Sequence, residues 1–300
     1  MLSVAVLSKG EQIRENCRME TQGSALVTGA GRGIGRAVAL ELAGRGFDTV
    51  AAMRDPATAG ALADEVPGRI RVERLDVTDP ATYRLPPDLR VLVNNAGIDS
   101  AYLPIEHAEL ADWRRVFETN VFGLVGLTSA AIPVLRTNRP SVVCSITSSS
   151  ILAAVPFYSA YRASKAAVSA FNDSLRVEVA PLGIRVVEIL PGPVDTDMFR
   201  LSTGELEASR YEQYRDMAAV ATSLRREHAD PRVVDPADAA VAIVDAILDD
   251  EGPMRHGCDP VSDELLELWR RNDDETVYSL MGRSLLDELD GGPQDERALP

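Results

Sequence analysis

The run SALVTGAGRGIGRAVALELAGRG, residues 24–46, decides the fold. Its first six residues, 24–29, form a short apolar stretch of the kind that builds a buried strand. From Ile34 to Gly46 the apolar residues recur at helical spacing, and Gly46 supplies the stop. Between them lies TGAGRGIG, Thr28 to Gly35, with Gly29, Gly33 and Gly35 spaced T-G-x-x-x-G-x-G. Glycines at a strand-to-helix turn let backbone approach a ligand, and the helix N-terminus behind them attracts phosphate. The spacing is neither G-x-G-x-x-G nor a P-loop, because no G-K-[ST] closes it. A glycine loop alone serves equally well as a structural turn. Its place between a strand and a helix, at the head of an alternating pattern, favours nucleotide binding.

That alternation continues along the chain. DTVAAM (48–53), RIRVERLDV (69–77), RVLVNNAG (90–97), SVVCSIT (141–147) and IRVVEIL (184–190) read as strands, with helices over 34–46, 109–137 (one long or broken) and about 158–180. Strand and helix in turn predict an α/β fold, a doubly wound parallel sheet of Rossmann type. Residues 23–286 form the expected single domain, following a disordered extension over 1–22 and preceding a frayed tail over 287–300. Met19, just before the first strand, is an alternative start to Met1. Only fourteen residues separate Asp79 from Asn94, so the crossover helix there is expected to be very short or absent.

Composition narrows the function classes. A net charge of −15 opposes long-range attraction to nucleic acid or anionic lipid, so any anionic ligand needs a local cation. Cys17, Cys144 and Cys258 are odd in number and scattered, which suits a reduced, cytoplasmic protein. His107, His228 and His256 show no metal-ligand spacing, so no metal site is expected. The N-terminal apolar run is too short for a signal peptide, and no stretch is read as approaching the ~20 apolar residues of a membrane span.

The second strand ends AAMRD, placing Met53 and Arg54 where NAD-binding relatives of this fold carry an acid for the ribose hydroxyls. Arg32 lies inside the glycine loop. Two guanidiniums beside the adenosine ribose suit a 2′-phosphate, so NADP(H) is expected in preference to NAD(H). Asp55 is expected to point away from Arg54.

YSAYRASKAAV, residues 158–168, holds the chemistry. On a helix Tyr161 and Lys165 stand one turn apart on one face, while Tyr158 pairs less directly. A free tyrosine titrates near ~10, and a nearby ammonium is expected to lower that value and make the phenol a usable acid/base. The serine cluster Thr147–Ser150 ends the fifth strand, where ligands of parallel sheets bind. Spacing alone does not choose among Ser148, Ser149 and Ser150.

Taken in order, TGAGRGIG (28–35), LDVTD (75–79), NNAG (94–97), Asn120 within FETNVFG, ITSSS (146–150), YRASK (161–165) and PGPVDTDM (191–198) resemble the short-chain dehydrogenase/reductase family, in its compact, non-extended branch. The resemblance covers roughly residues 24–200. It implies that Tyr161 is the general acid or base, that Lys165 lowers its pKa and holds the nicotinamide ribose, and that a serine thirteen residues before the tyrosine, Ser148, binds the substrate carbonyl. Asn120 would anchor a water relay behind the lysine. On the cofactor, Thr28, Gly29, Arg32, Gly33, Ile34, Gly35 and Arg54 would serve the phosphates. Asp76, Val77, Asn94, Ala96 and Gly97 would serve the adenosine side, and Pro191, Gly192, Val194 and Thr196 the nicotinamide.

The implied activity is NADP(H)-dependent interconversion of a small-molecule carbonyl and an alcohol. A non-catalytic cofactor sensor or scaffold, or an epimerase or dehydratase, is the alternative. Residues 198–228 carry Tyr211, Tyr214, Met217, Ala221 and Leu224 at helical spacing and would form a substrate lid. Lid and C-terminal helical region (262–286, with Trp269) are large enough to suggest a bulky, lipophilic substrate, by analogy with hydroxysteroid and retinol dehydrogenases. The LDELDGG run (286–292) does not match the family's late tetramer-forming ending. A homodimer through the helices at 109–137 and 158–180 is the remaining option.

Overall fold

A computed structural model describes residues 19–153, 155–229 and 232–273, and beyond them positions 275–277, 279 and 289. Most of the expected N-terminal extension, Cys17, and all of the tail but position 289 lie outside the described residues. Seven strands form one parallel sheet in the order β3-β2-β1-β4-β5-β6-β7. They are β1 (Ser24–Thr28), β2 (Asp48–Met53), β3 (Ile70–Arg74), β4 (Leu89–Asn94), β5 (Ser141–Ile146), β6 (Ile184–Ile189) and β7 (Arg255–His256). Six of them are those the alternating pattern predicts. The two-residue β7 carries too little pattern to be read from sequence.

Alternate residues of each strand feed two cores, as the pleat requires. Ala25 and Val27 of β1 pack with Val38 and Leu42 of α1 (Gly33–Gly44) and Ile243 and Ile247 of α8 (Pro236–Leu248). Leu26 packs on the opposite face with Leu127, Ala131 and Leu135 of α4 (Leu124–Thr137) and Leu175 of α5 (Ser159–Val179). β2 reaches β3 through the single-turn α2 (Leu62–Glu65), and β3 reaches β4 through only a 3₁₀ turn, Pro80–Thr82. The missing crossover helix is the one the short spacing predicts.

The helix expected over 109–137 is broken by a π-helical turn: α3 (Leu110–Phe117), Glu118–Gly123, then α4. Gly123 sits where a Cβ would lie 2.8 Å from Val77 Cγ2, so the turn can press against the segment that follows β3. Contrary to the sequence reading, the 28-residue run Leu110–Thr137 does reach the length and hydropathy of a membrane span. Its fully buried Leu127, Ala131 and Leu135 make it a core helix of the sheet.

Segment 198–228 is not one amphipathic helix. It divides into α6 (Asp197–Ser202), 3₁₀ turns at Glu207–Arg210 and Glu212–Tyr214, and α7 (Arg215–Ala229). Tyr211 and Tyr214 lie before α7 because their side chains are engaged elsewhere. The Tyr211 ring stacks on His107 at 3.7 Å, and the Tyr214 hydroxyl donates to Glu106 at 2.8 Å. The buried residues are instead Leu206, Ala208, Ala218 and Ala221, packed around Tyr102. Helix α9 (Pro260–Arg271) begins at the Asp259 N-cap.

The edge strand β7 is fastened by charge. Glu188, fully buried on β6, accepts from Arg255 Nε at 3.1 Å, Thr147 Oγ1 at 2.9 Å and Ser169 Oγ at 3.1 Å. Burial raises the Glu188 carboxyl above its ordinary range, against the pull of Ser169, Arg255 and Thr147. Removing Arg255 would raise it further, and that penalty grows with pH because it falls on the carboxylate form. Arg255→Met is therefore expected to cost about 3 kcal/mol at pH 7 and distinctly less at pH 5. Urea denaturation at the two pH values measures both; a pH-independent loss would contradict the assignment.

Candidate active site

A cleft of about 680 Å³ opens at the carboxyl ends of β1, β4, β5 and β6. It lies at the point where strand order reverses, β1 running outward to β2 and β4 to β5. The glycine loop forms one wall. Gly29 has φ +66° and Gly33 has φ +54°, backbone that side chains rarely adopt. A Cβ on Gly35 would lie 2.2 Å from Asn95 Nδ2 and 2.5 Å from Gly29 O, so only glycine lets α1 begin this close to the β4 loop. The size of the cleft and the bare N-terminus of α1 fit a dinucleotide.

Most of the residues expected at the cofactor do line this cleft: Gly29, Arg32, Gly33, Ile34 and Gly35, then Arg54, Asp76 and Val77, then Ala96 and Gly97, and Pro191, Gly192, Val194 and Thr196. Thr28 and Asn94 do not. Thr28 Oγ1 accepts from the Asn95 and Ala96 amides, each at 3.0 Å, and so sets the wall from behind. Asn94 turns away and donates to Thr128 Oγ1 at 2.8 Å. Asn95 faces the cleft instead, donating to Thr28 O at 2.9 Å. Successive strand residues face opposite sides, so the exchange follows from strand parity.

At the adenosine end, Arg32 is highly exposed and pairs with Asp197 at 3.3 Å, a surface contact of little weight. Arg54 is exposed. Asp55 accepts from the Ala57 amide at 3.0 Å as the cap of the next turn. Burial raises the Asp76 carboxyl, but bonds from Thr78 N and Oγ1 and the field of Arg54 outweigh it and hold the group below its ordinary value.

The chemical end is assembled by β5 and α5. Ser148, Tyr161 and Lys165 all line the cleft, whereas Ser149 and Ser150 do not. Lys165 Nζ donates to Ile146 O at 2.8 Å and lies 5.6 Å from the centre of the Tyr161 ring. Asn120 comes from the π-helical turn and is almost wholly buried. Its Oδ1 accepts from Ile98 N at 2.8 Å, and its Nδ2 donates to Ile98 O at 2.9 Å and Ser164 Oγ at 3.0 Å. It thus ties the β4 loop to α5 one residue before Lys165.

The electrostatics correct one expectation. Burial, reinforced by Tyr158 and Asp99, pushes the Tyr161 phenol well above its ordinary value, while a hydrogen bond with Ser148 acts in the opposite direction. Lys165 does not bring it down. The lysine is itself buried, which lowers its pKa to about 8 against the fields of Asp99 and Glu188. For both groups desolvation is the largest influence.

Sequence reading weighed Tyr158 but passed over Tyr102, Asp99, Arg225 and Asp259. The Tyr158 ring lies 5.0 Å from that of Tyr161 and stacks on Tyr102 at 5.2 Å. Tyr102 donates to Asp99, and Arg225 covers both Tyr102 and Tyr158. Asp259 accepts from Gly192 N at 2.7 Å and so fixes the loop after β6. Of the four passed over, only Asp259 left a local signal, an acidic cap before Pro260.

Comparison with known proteins agrees with this architecture. A family model described as short chain dehydrogenase matches residues 24–206. Sulfoacetaldehyde reductase 2 of Chromohalobacter salexigens is 35% identical over 202 residues, spanning 64% of this chain and 80% of that one. The NADPH-dependent 3-dehydrocapnine reductase of Ornithobacterium rhinotracheale is 32% identical over 189 residues, 58% of this chain and 66% of that one. A crystal structure of a short chain dehydrogenase from Burkholderia cenocepacia in complex with NADP superposes with a TM-score of 0.68 at 25% identity, covering 88% of this chain and 99% of that one. The chain belongs to the short-chain dehydrogenase/reductase family, and its fold is that family's nicotinamide-dinucleotide fold.

The packing of the glycine loop generates a prediction. Gly35→Ala is expected to weaken NADPH binding at least about tenfold, because the added methyl must displace Asn95 from the cleft wall. Titration of the protein's effect on NADPH fluorescence checks it; unchanged affinity would mean that the loop yields.

Proposed function

We propose that this protein is an NADP(H)-dependent reductase that converts a small carbonyl compound into an alcohol. The observation that carries the reading is the convergence of Ser148, Tyr161 and Lys165 at the carboxyl end of β5, on the wall of a cleft whose other end is a glycine loop. A nicotinamide bound here would supply the hydride. The chain's own residues do the rest. A substrate carbonyl oxygen accepts hydrogen bonds from Ser148 and Tyr161, which polarise it as negative charge develops. Burial keeps the Tyr161 phenol protonated at neutral pH, which suits an acid giving its proton to that oxygen. Lys165, held by Ile146 O, places a cation beneath the site that is still largely protonated at neutral pH. Asn120 acts by position, holding the loop of Gly97 and Ile98 against α5.

The preference for NADP(H) is supported by Arg54 at the end of β2, by the lack of an acid at Met53, and by the engagement of Asp55 in a cap. An NADP complex and an NADPH-dependent enzyme among the similar proteins point the same way. For the substrate, the apolar residues of segment 198–228 pack against one another around Tyr102. The reading therefore carries no preference for a lipophilic compound.

Two measurements test this. Tyr161→Phe is expected to lower NADPH-dependent carbonyl reduction by about 10³-fold or more while leaving NADPH affinity unchanged; substantial residual turnover would remove Tyr161 from the chemistry. Arg54→Asp is expected to weaken NADPH binding by roughly 10- to 100-fold and NADH binding hardly at all. Equal losses for the two cofactors would reject the 2′-phosphate assignment.

A further inference from the structure

Arg225 on α7 has an arrangement that the reaction as described does not use. Its Nη1 donates to Ser202 O at 2.8 Å, and its guanidinium carbon lies 4.8 Å from the ring centre of Tyr158 and 5.2 Å from that of Tyr102. Its Nη2 is buried and has no hydrogen-bond partner, and among the described residues no carboxylate pairs with it. Asp99 is the acid whose field it shares, but that carboxylate accepts from the Tyr102 hydroxyl and from Ser100 N at 2.8 Å. A guanidinium keeps its charge at any ordinary pH and presents five donors in a fixed fork. Folded proteins leave few such buried donors without an acceptor.

The position is equally specific. Tyr158 and Ser202, both in contact with Arg225, line the cleft. The Tyr158 ring is 5.0 Å from the Tyr161 ring, so one aromatic ring separates the guanidinium from the proton donor. The segment carrying Arg225 is clasped to the 3₁₀ turn Ile105–His107 by Tyr211 on His107 and Tyr214 on Glu106. The whole chain carries a charge of −15, so an anion gains nothing from the overall field and must find a local cation.

We propose that Arg225 anchors an oxyanion on the substrate. The substrate class is then a short aldehyde or ketone bearing a carboxylate, sulfonate or phosphate, with its carbonyl between Ser148 and Tyr161 and its anion on Arg225. The anion enters while the lid is lifted and supplies the missing acceptor as the lid closes. Stacking on Tyr102 and Tyr158 holds the guanidinium in place once the lid has closed. The proposal rests on the reductase reading for the carbonyl half of the substrate, but not for the anion half.

The test separates the two halves. With saturating NADPH, 4-oxobutanoate, its methyl ester and butanal are compared in the wild-type protein, Arg225→Met and Arg225→Lys. The wild type is expected to favour the acid over the ester by about 100-fold in kcat/KM, as for a charge-assisted contact. Arg225→Met should erase that preference while changing ester turnover less than about threefold, and Arg225→Lys should restore part of it. In parallel, calorimetry measures succinate and 1-propanesulfonate binding to the NADPH-saturated protein, with loss expected in Arg225→Met and NADPH affinity retained. Lack of any acid preference in the wild type, or equal losses for acid and ester, would overturn the proposal, the latter making Arg225 a structural pin of the lid. A fall in NADPH affinity in Arg225→Met would overturn it by making Arg225 a cofactor grip. If no aldehyde turns over but the anions bind through Arg225, the reductase reading fails and the anion site stands. If neither occurs, both fail.

Discussion

The two amide hydrogen bonds that Thr28 Oγ1 accepts from Asn95 and Ala96 join the ends of β1 and β4, the strands at which the sheet order reverses. Everything on the cofactor side depends on that junction. β1 continues into the glycine loop and β4 into the Gly97–Ile98 loop, so one hydroxyl fixes the gap between the two walls of the cleft. Asn95 adds a second tie through its Nδ2 to Thr28 O, and Gly35 must then be glycine because Asn95 fills the space a side chain would take. The hydroxyl also donates to Val93 O, so each of its bonds is made within the strand ends it joins. A crevice at a strand-order reversal is a consequence of topology. Its width here is set by these four side-chain hydrogen bonds.

The chemical end is built on a different principle, the burial of charge. Lys165 has its ammonium on the Ile146 carbonyl and is almost wholly buried. Glu188 lies fully buried on the neighbouring strand, bonded to Thr147, Ser169 and Arg255. Its field raises the lysine pKa against desolvation. Thr147 is adjacent to Ser148, so the network that fastens β7 to the sheet also fixes the strand end that presents the serine. Stability and chemistry share these groups, because a buried carboxylate satisfied by hydroxyls and a guanidinium holds its surroundings in one arrangement.

The sequence was most legible where a local period carried the information. The apolar runs of β1, β4 and β5 and the glycine spacing between β1 and α1 were read close to where they fall, and the scarcity of residues between Asp79 and Asn94 correctly removed a helix. Reading failed where the deciding interaction lies far along the chain. β7 exists because Arg255 finds Glu188, sixty-seven residues away in sequence. Tyr211 and Tyr214 left the helix to meet His107 and Glu106, more than a hundred positions upstream. The choice of Asn95 over Asn94 was in principle accessible, since it requires only that the end of a strand be counted in twos.

The tyrosine–lysine pair shows why a motif predicts proximity better than it predicts energetics. Four-residue spacing on α5 placed Tyr161 and Lys165 on one face, as expected. The sign of the tyrosine's shift was not contained in that spacing, because it depends on how much water the completed fold excludes. With both groups buried, and with Asp99 and Tyr158 beside the phenol, the neutral phenol is favoured. A site that reduces a carbonyl needs a phenol that keeps its proton until an oxyanion forms nearby, and burial meets that requirement. On the proposed reading the lysine's contribution is positional and long-range, a cation held beneath the site for the moment when negative charge appears on the substrate oxygen.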